Sequence, residues 1–238
     1  GRPRGGLGAA VRSARDEGAL ERLAALARRD LSHLNFPAPE WRPRPAPVPG
    51  EPGHLDVLVI GGGMCGQPVG YSLLRDGLRN FRVVDRAPRG LEGPWATYAR
   101  MEILRSPKHL TGPDLGVPSL TFRAWYEAQH GEAGWARLHK VGRLDWRDYL
   151  LWVRDTVGVP VENGVEAVAI EPGADGIRVR LRSVAGETDV LARKVVLAGG
   201  RDGAGGLRQP SVPGLAGKAA ARVSHSSDAI DFAGLAGR

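Results

Sequence analysis

From about Glu17 to Leu31 the apolar positions Leu20, Leu23, Ala24, Ala27 and Leu31 recur at three- and four-residue spacing between Arg and Glu. That period predicts an amphipathic helix able to pack on a larger body. Seven prolines fall between Pro37 and Pro52, so this stretch is expected to be an extended, polyproline-like connector with no core of its own. Asp56 to Ile60 is a short β-branched run ending at glycines, the pattern of a parallel strand buried on both faces. Gln67 to Asp76 reads as a helix stopped by Gly77, and Phe81 to Asp85 as the next strand. A long irregular stretch precedes a second helix, Asp145 to Val157, with Trp146, Tyr149, Leu150, Val153 and Val157 on one face. The period then becomes two. Val165–Ile170, Ile177–Leu181 and Thr188–Leu191 alternate between glycine-containing turns and predict an antiparallel meander, after which Val195–Ala198 is a separate, continuously apolar strand.

Composition narrows the class. With 238 residues, 42% of them apolar, the chain is long enough to build a substantial core. No stretch approaches the roughly 20 apolar residues of a membrane span, and no secretory signal is legible, so a cytoplasmic protein with no membrane association is expected. The net charge of +7 comes from scattered arginines without interleaved aromatics, which argues against a nucleic-acid partner. A single cysteine, Cys65, excludes an internal disulfide and a Cys-x-x-Cys redox pair. The chain begins at Gly1 and stops at Arg238, and it is expected to be part of a longer protein.

The residues with chemical meaning cluster after the first strand. A phosphate-binding turn needs glycines for a sharp bend and close backbone approach, with a helix N-terminus aimed at the negative charge. Gly61, Gly62, Gly63, Met64, Cys65 and Gly66 provide it between a strand and a helix, and Gly70 continues the close packing. Asp85 lies at the end of the second strand, where a carboxylate accepts hydrogen bonds from an adenosine ribose and repels a 2′-phosphate. Strand, turn, helix and strand make a βαβ unit of a Rossmann-like fold, with FAD or NAD rather than NADP as ligand. The thiol of Cys65 is expected to face the core, leaving its backbone as the useful group. No general acid–base pair or nucleophile triad is apparent, no catalytic residue is assigned, and no metal site is expected.

The succession Asp-Val-Leu-Val-Ile-Gly-Gly-Gly, Val-Val-Asp-Arg and Gly93-Pro94-Trp95 is similar to the N-terminal FAD module of two-dinucleotide-fold flavoproteins. Val195-Val-Leu-Ala-Gly199-Gly200, followed by Pro210, Val212, Pro213 and Gly214, resembles the segment that closes that module, with Gly199 where the family usually has Thr. His225-Ser226-Ser227-Asp228 resembles the linker of flavin-containing and Baeyer-Villiger monooxygenases, without the aromatic expected at Ala229. Lys108-His109-Leu110, Thr121-Phe122 and the Tyr149-Leu150-Leu151-Trp152 helix resemble segments of the N-hydroxylating monooxygenases.

The resemblance implies an α/β, Rossmann-like FAD-binding domain, a parallel sheet with an antiparallel β-meander, preceded by a helix and a Pro-rich linker. Its divisions would be a helical appendage (1–36), the linker (37–54), the FAD-binding domain (55–215) and a second linker (216–238) toward an absent NAD(P)-binding domain. It further implies an NAD(P)H-dependent monooxygenase that oxygenates a small molecule with O2 through a flavin C4a-(hydro)peroxide, the cofactor carrying the hard chemistry. Cofactor contacts would come from the turn, Asp85, Arg86, Trp95 beside the isoalloxazine, Val165 offering backbone to adenine, Gly199 and Gly200. Lys108 would meet substrate or NADP. An inactive or regulatory nucleotide-binding protein, and an FAD oxidoreductase without a nicotinamide domain, are the alternatives. Oligomeric state is not legible.

Overall fold

The computed structural model describes residues 17–42 and 53–203, with 205, 213, 223–225, 228, 230, 231 and 233–235. Six strands form one mixed sheet: β1 (Gly53–Ile60), β2 (Phe81–Asp85), β3 (Val161–Asn163), β4 (Glu166–Gly173), β5 (Gly176–Ser183) and β6 (Gly186–Leu197), in the order β3-β2-β1-β6-β5-β4. The pairs β3–β2, β2–β1 and β1–β6 are parallel; β6–β5 and β5–β4 are antiparallel. Helices α1 (Glu17–His33), α2 (Gly66–Arg75), α3 (Phe122–Arg137), α4 (Arg143–Val157) and the single turn α5 (Gly200–Gly203) complete the fold.

β1 lies between two parallel neighbours, which is why its run is continuously apolar. Because side chains alternate across a strand, Val59 and Val83 point to one face, where they share a core with Tyr71 of α2, Ala27 and Leu31 of α1, and Phe122, Trp125, Trp135, Trp146 and Tyr149 of α3 and α4. Leu58 and Val84 point to the other face and pack with Val179, Leu181, Val190 and Ala192 of β5 and β6. The N-terminal helix is thus part of the main core, and Ser119 ties to it through a 2.5 Å hydrogen bond to Asp30.

Three expectations change. Thr188–Leu191 and Val195–Ala198 do not form two strands: β6 runs unbroken from Gly186 to Leu197, antiparallel to β5 over residues 186–192 and parallel to β1 over 190–197. The exposed charges of Arg193 and Lys194 lie between the two segments, but the ladder depends on backbone groups and runs through them. The irregular stretch contains α3, which starts where Thr121 accepts the Ala124 N–H (3.2 Å) and breaks at Gly131, whose φ is +68°. The start of the Pro-rich segment is also anchored. Arg42 pairs with buried Asp56 at 2.6 Å, and Trp41 donates to the Asp76 carbonyl at 2.7 Å. Residues 43–52 lie outside the described residues.

The loop after β2 is held by buried charge. Glu92 receives Arg154 of α4 at 2.9 Å, Asn163 of β3 at 2.6 Å and the Gly90 N–H at 2.7 Å, while Arg154 also donates to the Val161 carbonyl at 2.7 Å. Both ionic side chains are more than nine-tenths buried. Burial draws the Arg154 pKa down, opposed by the charge of Glu92. Arg154→Ala strands the Glu92 carboxylate and is expected to cost about 3–5 kcal/mol in a denaturant titration; an unchanged midpoint would mean that the pair contributes nothing.

Tyr149 is fully buried and donates to the Leu120 carbonyl at 2.8 Å, and burial pushes its phenol above the ordinary 10.0. In the alkaline range the unfolded chain releases this proton before the folded one does. The contribution is therefore complete below pH 10 and is lost above it, by up to about 1.4 kcal/mol per pH unit. Tyr149→Phe is expected to flatten that alkaline decline in urea midpoints while costing about 1 kcal/mol at neutral pH, through the unpaired carbonyl.

Candidate functional site

The glycine turn is built by close approach on both sides. Gly61 has φ +110°, and a Cβ there would lie 2.3 Å from the Ala198 carbonyl oxygen at the end of β6. A Cβ on Gly66 would lie 1.7 Å from the Gly61 oxygen. The first turn of α2 therefore sits directly on the end of β1, and only glycine fits at either place. Gly70 repeats the device one turn on, where a Cβ would come within 2.7 Å of Val159.

The peptides of the turn are pinned one after another. The Gly61 N–H donates to Val84 and the Ala198 N–H to the Ile60 carbonyl, both at 2.8 Å. Asp85 takes the Gly62 N–H on Oδ2 at 2.7 Å and the Ala87 N–H on Oδ1 at 2.8 Å. Each oxygen keeps a lone pair for another donor. The Gln67 amide, in the first turn of α2, donates to the Gly62 carbonyl at 3.1 Å. Gln67 is 3% exposed and its Oε1 has no partner, a buried acceptor of the kind that costs about 1–3 kcal/mol.

Beyond these anchors the turn is open. Among the described residues, a Cβ on Gly63 would meet nothing nearer than the Gly93 nitrogen at 4.0 Å. Among the described residues no acceptor takes the N–H of Gly63, Met64, Cys65 or Gly66. The first turn of α2 carries no acidic side chain, and Cys65 at its N-cap makes no side-chain cap. Free amides, a helix N-terminus and empty space form a cradle for an anion. With the Asp85 carboxylate at its rim, the donor set fits the diphosphate and ribose of a dinucleotide such as FAD.

The other expected residues distribute unevenly. Met64 and Arg86 are exposed. Cys65 is exposed as well, which corrects the expectation that its thiol faces the core: the helix turns the N-cap side chain outward while Gly66 takes the inner position. Trp95 is half-buried and packs edge-on against Trp146 at 6.5 Å, and its carbonyl accepts from Arg143. Glycines 199 and 200 lie beside the turn, the Gly199 nitrogen being 2.9 Å from where a Gly61 Cβ would stand. The Val165 N–H donates to the Asp85 carbonyl at 3.0 Å, so its amide is spent inside the protein. Lys108 is placed against Trp135, 2.6 Å from its carbonyl and 4.5 Å from its ring centre. Pro210, Val212, Gly214, Ser226, Ser227 and Ala229 lie outside the described residues, while the His225 N–H donates to the Asp228 carboxylate at 2.7 Å.

Sequence reasoning missed Gln67, Glu92, Arg154 and Asn163. An amide in the first turn of a helix carries no pattern, but Arg154 had a signal, a charge beside Val153 on the apolar face of α4. A hollow of about 510 Å³ beside α3, lined by Tyr126, Gln129, His130, Arg137, Leu138 and His139, shares no residue with the turn. No helix among the described residues is long and apolar enough to cross a membrane.

The chain is 45% identical over 224 residues to the FAD-dependent urate hydroxylase of Xanthomonas campestris pv. campestris, covering 92% of this chain and 46% of that protein. The chain thus spans about half the length of this curated relative. The reduced form of ornithine hydroxylase (PvdA) from Pseudomonas aeruginosa superposes with a TM-score of 0.52 at 20% identity, over 66% of this chain and 40% of the other. The FAD-bound cadaverine monooxygenase DfoA of Erwinia amylovora superposes at 0.50 and 18%, over 61% and 36%. This likeness is one of fold. Residues 58–202, which hold the turn, Asp85 and the end of β6, match the model of the FAD-NAD(P)-binding family, and the chain belongs to that family.

Proposed function

We propose that this chain is the FAD-binding part of a monooxygenase that uses NAD(P)H and O2 to hydroxylate a small molecule, with a planar heterocycle such as urate as the substrate class. The observation that carries the reading is the open cradle at Gly63, rimmed by Asp85 and walled by the end of β6. The named activity of the 45% identical relative supports the choice of reaction and substrate. Residues 55–215 would form the FAD-binding domain, with 1–36 and 37–54 as its helical and Pro-rich lead and 216–238 as a linker. The nicotinamide site would belong to the other part of a protein of the relative's length.

Each residue then has a physical task. The N–H groups from Gly63 to Gly66 receive the diphosphate, with the positive end of the α2 dipole behind them. Asp85 accepts the ribose hydroxyls on the lone pairs left by Gly62 and Ala87, and its charge disfavours a 2′-phosphate. Arg86, exposed beside Asp85, would stand at the ribose end. Trp95 offers an aromatic face toward the flavin, fixed by Trp146 and by the buried Glu92–Arg154 pair upstream. The backbone at Val165 and at Gly199 and Gly200 borders the adenine and flavin ends. Bound FAD would supply electron transfer from NAD(P)H and the activation of O2. The protein contributes orientation and exclusion of water. Lys108 would meet substrate or NADP through the ammonium donors that its bond to the Trp135 carbonyl leaves over.

Purified chain reconstituted with FAD is expected to carry the visible flavin absorption band through gel filtration; a colourless protein overturns the reading. Asp85→Ala removes the rim carboxylate and one anchor of the turn, so FAD affinity is expected to fall on the order of ten- to a hundredfold, read by quenching of flavin fluorescence. In a protein of the relative's full length, urate is expected to accelerate NAD(P)H oxidation. No acceleration would remove urate as the substrate.

A further inference from the structure

We infer that Gln67 is a positioning residue for the diphosphate: its buried amide fixes the Gly62–Gly63 peptide so that the Gly63 N–H is presented to the ligand. The inference rests on the reading of the turn as an FAD site. In a trans peptide the C=O and N–H point in opposite directions. The Gln67 Nε2 holds the Gly62 oxygen inside the fold at 3.1 Å, so the N–H of the same peptide is turned away from that anchor. Gly63, where a Cβ would stand 4.0 Å from the Gly93 nitrogen, its nearest non-neighbouring atom among the described residues, carries that N–H.

The turn needs such a clamp. Gly61, Gly62 and Gly63 are consecutive, and glycine backbones adopt conformations closed to other residues, so a peptide between two of them can rotate. The Ile60–Gly61 peptide is pinned at both ends by Ala198 and Val84, and the Gly61–Gly62 peptide by Asp85. The Gly62–Gly63 peptide has Gln67 alone among the described residues. Were it to rotate, its carbonyl oxygen would face an anion in place of the N–H.

The state of the Gln67 side chain supports a task beyond packing. At 3% exposure a methionine or leucine would fill its space without leaving Oε1 unpartnered. The amide does one thing that those side chains cannot, which is to donate to Gly62.

The test compares Gln67→Leu and Gln67→Met with the wild-type chain. FAD and ADP affinities are read by fluorescence quenching and competition, and the ligand-free thermal midpoint is recorded alongside. The expected result is a loss of about tenfold for both ligands, since both carry the diphosphate, with ligand-free midpoints within about 2 °C of wild type. Affinities within about twofold of wild type in both variants overturn the inference and leave the FAD reading intact. A midpoint that falls in step with affinity in both variants also overturns it, because the amide would then be a structural prop. Failure of the wild-type chain to bind FAD sinks the FAD reading and this inference together.

Discussion

The closeness of three glycine backbones to their neighbours is the constraint on which this structure depends. Gly61 stands against the Ala198 carbonyl, Gly66 against the Gly61 oxygen and Gly70 against Val83 and Val159. These contacts set how near α2 can come to the sheet, and therefore where the N-terminus of that helix points. They also fix β6 beside β1, which brings the Gly199–Gly200 end of that strand to the same place as the turn. A side chain at Gly61 or Gly66 would separate sheet from helix and remove the cradle. A side chain at Gly63 would leave both in place and fill it.

Around that contact the protein anchors an irregular loop by buried polar and aromatic contacts. The segment from Asp85 to Trp95 has little secondary structure, yet it carries the carboxylate and the aromatic of the proposed site. It is held by the Glu92, Arg154 and Asn163 cluster from below and by the aromatic cluster of α3 and α4 from the side. A buried ion pair is a weak source of net stability, because desolvation offsets most of the attraction. Its directional hydrogen bonds nevertheless fix a loop geometry that apolar packing would leave less defined. The unpartnered Oε1 of Gln67 belongs to the same pattern, in which a local rule is broken beside the site.

The expectations that held and those that failed divide along a physical line. The βαβ unit, the α4 stripe and the turn were legible because each is written within a window shorter than about twenty residues. α3 was not, since its apolar face is interrupted at Gly131 and its boundaries depend on Thr121 as a cap and on Trp135 finding Phe122. Thr188–Leu191 and Val195–Ala198 proved one strand because pairing with β5 ends at Ala192, just before the charged Arg193 and Lys194, while the backbone continues along β1.

By itself the sequence determined which backbone positions must lack a side chain and which faces are apolar, because glycine and hydrophobic spacing act through local sterics and burial. It also named Asp85, whose place at a strand end is local. Only the tertiary structure decided which glycine touches protein and which faces empty space, that the Cys65 side chain turns outward, and that Lys108 is engaged by Trp135. It alone paired Glu92 with Arg154 across 62 positions, and it alone turned Gln67 from a helix residue into a clamp on Gly62. Those outcomes depend on distances between segments far apart in the chain, which hydrophobic spacing does not encode.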